Sequence, residues 1–245
     1  MTGVAVFAVS LAAGFSQSIT WQGPTTVFTA ATLDAIPGLY SGATLVQSVD
    51  FGNSSVLTVT TPGGQTIPFA AGSVPFNAAP SGTGTMLAYS GTQTLTPAPG
   101  TGNATFDTVL QNDGWAAGNG PTLPQTIQIG GLTSGTTYAI DLFTYDPRSS
   151  SAGRSQEYAD TVGATGNNSA SFTYATPESV IGTFTASSSI EDVYVWDTIA
   201  GAGAGHWDTA VSAFTLYSVP EPGTCALLAG SMGMLLLRFR NRRRV

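Results

Sequence analysis

Short stretches of alternating apolar and polar residues, separated by clusters of Gly, Pro, Ser and Thr, run through most of this chain. In "SSVLTVTTPGGQTIPFAAG" they predict a strand over residues 56–60, a Pro-Gly-Gly turn and a second strand over 65–69, together a hairpin. "QTIQIGGLTSGTTYAIDLFTYD" repeats the pattern, with strands over 126–129 and 137–145 joined through Ser134 and Gly135, and with Tyr138, Ile140 and Leu142 on one face of the second. Further strands are predicted over 169–174, 180–186, 191–196 and 210–217. Only residues 104–112, "ATFDTVLQN", carry helical spacing, with Phe106, Val109 and Leu110 at i, i+3 and i+4. Many short strands without intervening long helices predict an all-β fold, an antiparallel β-sandwich or jelly roll, rather than an α/β one.

The two ends break this pattern. Residues 4–15 form an apolar run of secretory-signal length, too short to span a bilayer, with small residues at Ser16 and Ser18; cleavage is expected after Ser18. The positive n-region of such a signal is missing, and a buried first strand is the other reading of the run. At the far end, residues 223–237 are uncharged and would form a helix of ~22 Å against a hydrocarbon core of ~30 Å. Snorkelling by Arg238 and Arg240 or local thinning of the bilayer narrows that gap, giving a single membrane helix. Arg238, Arg240, Arg242, Arg243 and Arg244 then hold the tail in the cytoplasm, with the body outside. Pro220 and Pro222 cannot lie inside a regular helix, so "VPEP" is an extended joint in front of it. The division expected is a signal peptide at 1–18, one β-sandwich ectodomain at 19–218 and a C-terminal signal at 219–245.

Composition agrees with one folded domain: of 245 residues 42% are hydrophobic, only 9% are charged, and Lys is absent. Charge is split sharply. Residues 19–219 hold 13 Asp and Glu against Arg148 and Arg154, a balance of −11, whereas the last eight residues carry five Arg. A body so acidic repels phosphate backbones, which argues against nucleic acid as a partner. The lone Cys225 lies in the C-terminal apolar run and has no partner for an intrachain disulfide.

The joint, apolar run and arginine cluster, in that order at the end of the chain, resemble the PEP-CTERM sorting signal of Gram-negative bacteria. Pro220, Glu221 and Pro222 stand at its tripeptide. The resemblance implies a membrane-embedded exosortase as partner and protease, cleavage near the tripeptide, transient anchoring, and delivery to the cell surface and its exopolysaccharide. "ITWQGPTTV", "GLTSGTTYAIDLFTYDPR" and "VIGTFTAS" are also similar to a module of surface proteins bearing this signal, which implies a galactose-binding-like jelly roll. A fold of this kind hosts unrelated activities, so it implies no single function.

Catalytic chemistry finds little support. His206 is the one histidine, and no Gly-x-Ser-x-Gly elbow occurs in the body, so neither a serine triad nor a cysteine nucleophile is expected, and no catalytic residue is assigned. One His and no usable Cys leave too few ligands for zinc; calcium would find hard oxygen ligands but no EF-hand-like spacing, so no cofactor is assigned. Asp141, Asp146, Glu157, Asp160, Glu191 and Asp192 are carboxylates whose spacing does not reveal a glycosidase pair. Asp146 and Arg148 are expected to pair across a turn. Trp115, Tyr145, Trp196 and Trp207 are candidates for stacking on sugars with Asp146 and Arg148 beside them, core packing being the alternative. The leading expectation is an exported, non-catalytic surface or extracellular-matrix protein associated with exopolysaccharide. A carbohydrate-binding module with a defined sugar site comes second, and a glycoside-active enzyme third.

Overall fold

The longest alternating stretches of the chain occupy the centre of its largest sheet. The computed structural model describes residues 18–27, 29–72, 85–87, 91–116, 124–148, 153–163, 166–198 and 209–220. These are mostly strand, in antiparallel sheets. With strands numbered along the chain, a seven-stranded sheet runs in the order β1 (Thr20–Thr26), β12 (Glu178–Thr185), β9 (Thr137–Thr144), β15 (Ala213–Val219), β2 (Thr44–Asp50), β4 (Thr66–Ala71) and β3 (Leu57–Thr60). A five-stranded sheet has β11 (Phe172–Thr173), β10 (Ser155–Ala159), β13 (Ile190–Asp197), β8 (Gln125–Gly130) and β5 (Thr85–Leu87). Three shorter strands, β14 (Thr209–Val211), β7 (Asn112–Ala116) and β6 (Gly91–Thr94), form a third sheet. β2 and β4 pair in parallel over two residues; the other described pairs are antiparallel.

Alternation places the core. Tyr138, Ile140 and Leu142 of β9, Val180 and Phe184 of β12, and Phe214 and Leu216 of β15 meet Ile127 and Ile129 of β8, Val193 and Val195 of β13 and Tyr158 of β10 in one apolar cluster. The opposite face of the large sheet is covered too. Phe143 and Ala213 lie in a second cluster with Ile67, Phe69 and the buried side of helix α2 (Ala104–Gln111), where Phe106 meets Phe143 edge-on at 5.7 Å. Ile36, from the short helix α1 (Ala35–Leu39), covers Ala139, Ile181 and Tyr217. β9 is therefore buried on both faces from Tyr138 to Thr144.

The 56–69 hairpin forms as the alternation predicts, Leu57 opposite Phe69, with Gly64 of its turn at a φ of +82°. α2 starts where the Asn103 side chain accepts from the N–H groups of Thr105 and Phe106. Residues 126–145 depart from expectation: β8 and β9 do not pair but belong to different sheets, so the Gly-rich connection crosses the sandwich, tied by Leu132 N–H to Ser189 and Gly135 N–H to Ala186. The strand predicted over 210–217 is broken at Ser212, whose hydroxyl donates to the Leu110 carbonyl. That predicted over 169–174 shrinks to two residues. Pro220 follows β15 and is exposed. The apolar run at 4–15, Glu221, Pro222, the helix expected at 223–237 and the arginine tail lie outside the described residues. Among the described residues no helix is long and apolar enough to cross a membrane.

Phe143 is 0% exposed and joins the central strand to α2. Phe143→Ala is expected to cost about 3–5 kcal/mol through lost burial and the cavity left behind. A urea midpoint that moves correspondingly lower measures it.

Candidate functional site

The three-stranded sheet brings a tryptophan next to a polar cluster. Gly91 of β6 stands opposite Trp115 of β7, and Gln93 opposite Asp113. Opposed residues, and residues two apart on one strand, share a face, so these four lie together. Gly91 makes room for the indole: a Cβ there would sit 3.1 Å from Trp115 Nε1. The indole remains partly exposed.

Asp146 and Arg148 follow β9 and meet this face. The Arg148 Nε donates to Asp146 Oδ1 at 2.8 Å, and its Nη2 pairs with Asp146 Oδ2 at 2.5 Å. Arg148 Nη1 donates to Gln93 Oε1 at 2.6 Å, and Gln93 Nε2 donates to Asp113 Oδ2 at 3.1 Å. A continuous polar chain, Asp146 to Arg148 to Gln93 to Asp113, thus ties the end of β9 to β6 and β7. The Arg148 side chain is 37% exposed and that of Asp146 only 1%, so Arg148 is the member of the pair that reaches solvent.

Burial decides the charge states. It pushes Asp113 up to about 8; the Gln93 bond opposes it, the Asp146 charge reinforces it and the Arg148 charge opposes it. Asp50 is pushed up to about 7 by burial, against the hydrogen bond from Gly52 N–H. Gly52 packs directly on β7, since a Cβ there would lie 2.6 Å from Asp113 N. Two buried carboxyls, both held toward the neutral form, thus stand behind an Arg and a Trp that face solvent. This arrangement suits contact with hydroxyl-rich ligands: an aromatic plane, an amide and a guanidinium held at fixed positions.

The structure joins Trp115, Asp146 and Arg148, with the expected Asp146–Arg148 pair formed, and sets two other candidates apart. Tyr145 is 3% exposed, belongs to the second core cluster, and its hydroxyl donates to the Pro97 carbonyl. Trp196, also 3% exposed, lies on β13 opposite Glu157. Both rings are core packing rather than stacking platforms. Trp207 and His206 lie outside the described residues. Gln93, Asp113 and Gly91 belong to the cluster without having been singled out in sequence; "NDGW", a Trp next to an Asp-Gly pair, is a signal for Asp113, whereas Gly91 and Gln93 enter only through the register of β6 with β7. Among the described residues no group of three or more His, Cys, Asp or Glu is arranged to hold a metal ion. A separate cleft of about 420 Å³ opens between α1 and strands β1 and β12, lined by Gln22, Thr25, Leu39, Ser179 and Ile181. The Ser179 hydroxyl in its wall donates to buried Asp141, which burial pushes up to about 7.

No family model and no curated protein matches the chain. Solved structures similar to it include the ANXUR2 extracellular domain from Arabidopsis thaliana, at 14% identity and a TM-score of 0.45, covering 73% of this chain and 49% of that one. The ANXUR1 extracellular domain from Arabidopsis thaliana matches at 9% identity and a TM-score of 0.45, covering 72% of this chain and 49% of that one. The chain spans about half the length of these structures.

Unfolded, Asp50 and Asp113 ionise near 3.8, whereas folded they stay protonated to about 7 and about 8. The folded state binds more protons between these limits, so stability is greatest in acid and falls as pH rises through the window. Asp113→Asn, neutral at every pH and close in shape, is expected to flatten that decline. Urea midpoints at pH 5, 6.5 and 8 for the two proteins measure it.

Proposed function

We propose that the chain is an exported, non-catalytic protein of the cell surface or extracellular matrix whose sandwich, a jelly roll of galactose-binding-like type, contacts neutral polysaccharide through the Trp115 face. The observation that carries this reading is the partly exposed Trp115 ring over Gly91, on the same sheet face as Gln93, with the Arg148 guanidinium bonded to that amide. A ring of this kind stacks on the apolar face of a sugar while the amide and guanidinium address its hydroxyls. Neutral rather than acidic polymers fit the body, whose charge of −11 over residues 19–219 repels polyanions. The non-catalytic reading rests on the carboxyls. Glycoside hydrolysis needs two of them flanking an accessible bond, and Asp113 and Asp146 are buried, one neutral and the other paired with Arg148.

Export rests on the two terminal segments. Residues 1–18 act as a signal peptide, and Pro220, Glu221 and Pro222 with the following apolar run and arginines act as a PEP-CTERM-type signal. An exosortase-type membrane protease reads it, and the protein is anchored through its C-terminal helix until sorted. Exposed Pro220, directly after β15, supports this placement, because a joint beginning there stands clear of the folded sheet.

Trp115→Ala is expected to weaken binding to neutral glycans or the host exopolysaccharide roughly tenfold, about 1.4 kcal/mol, without shifting the melting temperature. Glycan arrays and affinity electrophoresis read this, and an absence of binding to any glycan by the parent protein removes the ligand proposal. Replacing Pro220, Glu221 and Pro222 by Ala is expected to leave uncleaved protein in the membrane fraction. Undiminished surface release by that variant overturns the sorting proposal.

A further inference from the structure

Ile19 is held in place by its first atom as well as its side chain. Its backbone N–H donates to Asp160 Oδ2 at 3.1 Å, and its side chain, 1% exposed, is part of the main core. The pairing of β1 with β12 begins one residue later, at Thr20 opposite Thr183, so the Ile19 N–H points away from the ladder and into the carboxyl. The fit is built from the other side as well: Gly182 lacks a side chain where a Cβ would come within 2.8 Å of Ile19 Cγ2 and 2.7 Å of Trp21 Cζ3. Trp21 in turn lies stacked on Tyr158, ring centres 6.1 Å apart.

Asp160 is 6% exposed, and its described partners are neutral: Asn167 N–H on Oδ1 at 3.0 Å, Asn167 Nδ2 on Oδ2 at 3.1 Å, and Ile19 N–H. Its charge is felt by a second acid, Glu191. Glu191 is pushed up to about 7, first by burial and then by the charges of Asp192 and Asp160. From β12 and β1 the neighbours are Gly182 and Trp21, neither of them titratable. A buried carboxylate whose described partners are all neutral, with Oδ2 on a backbone nitrogen, is a site for one positive charge at that nitrogen. Ser16 and Ser18 are the small residues that a signal peptidase requires on the N-terminal side of the bond to Ile19.

We infer that Asp160 is the receptor for the α-ammonium group of Ile19, created when the Ser18–Ile19 peptide bond is hydrolysed, so that removal of residues 1–18 turns a hydrogen bond of the core into an ion pair. Water adds across the bond: Ser18 leaves as a carboxylate on the released segment, and Ile19 nitrogen becomes –NH₃⁺, with no net exchange of protons at neutral pH. The nitrogen need not move. Of its three hydrogens, one keeps the existing bond to Asp160. The inference shares with the proposed function only the cleavage after Ser18 and is independent of any ligand or of the C-terminal signal.

The test compares three forms of the protein in detergent: residues 19–245 with a free Ile19 amine, released from a cleavable fusion; the same chain with that amine acetylated; and the free-amine chain carrying Asp160→Asn. An α-amine ordinarily titrates near 7.7–8.0. In the free-amine form it is expected to titrate at least one unit higher by NMR, a tenfold shift in its proton equilibrium. That form should also melt higher than the acetylated one by about 3 °C below pH 7, the advantage fading as pH rises through the raised value. Asp160→Asn should return the amine to its ordinary range. N-terminal sequencing of protein exported by its host should read Ile-Thr-Trp. An amine that titrates normally, equal melting of the free and acetylated forms, or an exported chain beginning elsewhere overturns the inference, and the first two stand even if Asp160→Asn fails to fold.

Discussion

One strand with nowhere to expose itself governs this molecule. β9 is hydrogen-bonded along both edges, to β12 and β15, and buried on both faces. A strand in that position demands a second sheet on one side and some other cover on the opposite side, because seven consecutive strand residues cannot otherwise be kept from water. The five-stranded sheet meets the first demand. The second is met by α1, α2 and the β3–β4 hairpin, which sets these two helices on the same face of the central sheet. The residues that leave β9 inherit its fixed position, and Asp146 and Arg148 stand there as the link from the central sheet to the small one.

Scarcity of cations shapes the electrostatics. With two arginines for 13 acidic residues between 19 and 219, most carboxyls cannot be paired and must be solvated, hydrogen-bonded or neutral. Asp50, Asp113 and Asp141 combine the last two, each accepting a hydrogen bond and pushed up to about 7 or 8 chiefly by burial. Arg148 is placed where it serves Asp146 directly and Asp113 through Gln93.

Much of the sandwich is legible in the alternation of apolar residues; pairing partners are less so. The 56–69 hairpin is readable because its turn is local, whereas nothing near Ser134 and Gly135 says that β8 and β9 part to different sheets. β7 and β10 lack a readable pattern, since "NDGWA" has no alternation and "SQEYA" buries Gln156 together with Tyr158; both are strands because neighbouring strands pair with them. The Asp146–Arg148 pair is legible from its spacing, and Trp115 from its type. Gln93 is not, because its role depends on a register between residues about twenty positions apart. Tyr145 and Trp196 show the converse: residue type alone makes them stacking candidates as much as Trp115, and packing buries both.

The break at Ser212 has a mechanical meaning. β14 belongs to the sheet that carries Trp115, β15 to the central sheet, and the two are one unbroken run of chain ending at exposed Pro220. A pull applied between the Trp115 face and an attachment beyond Pro220 enters the molecule at β7 and leaves along β15. The load then lies parallel to the strands, so that the bonds joining β15 to β9 and β2 share it in shear rather than opening one after another.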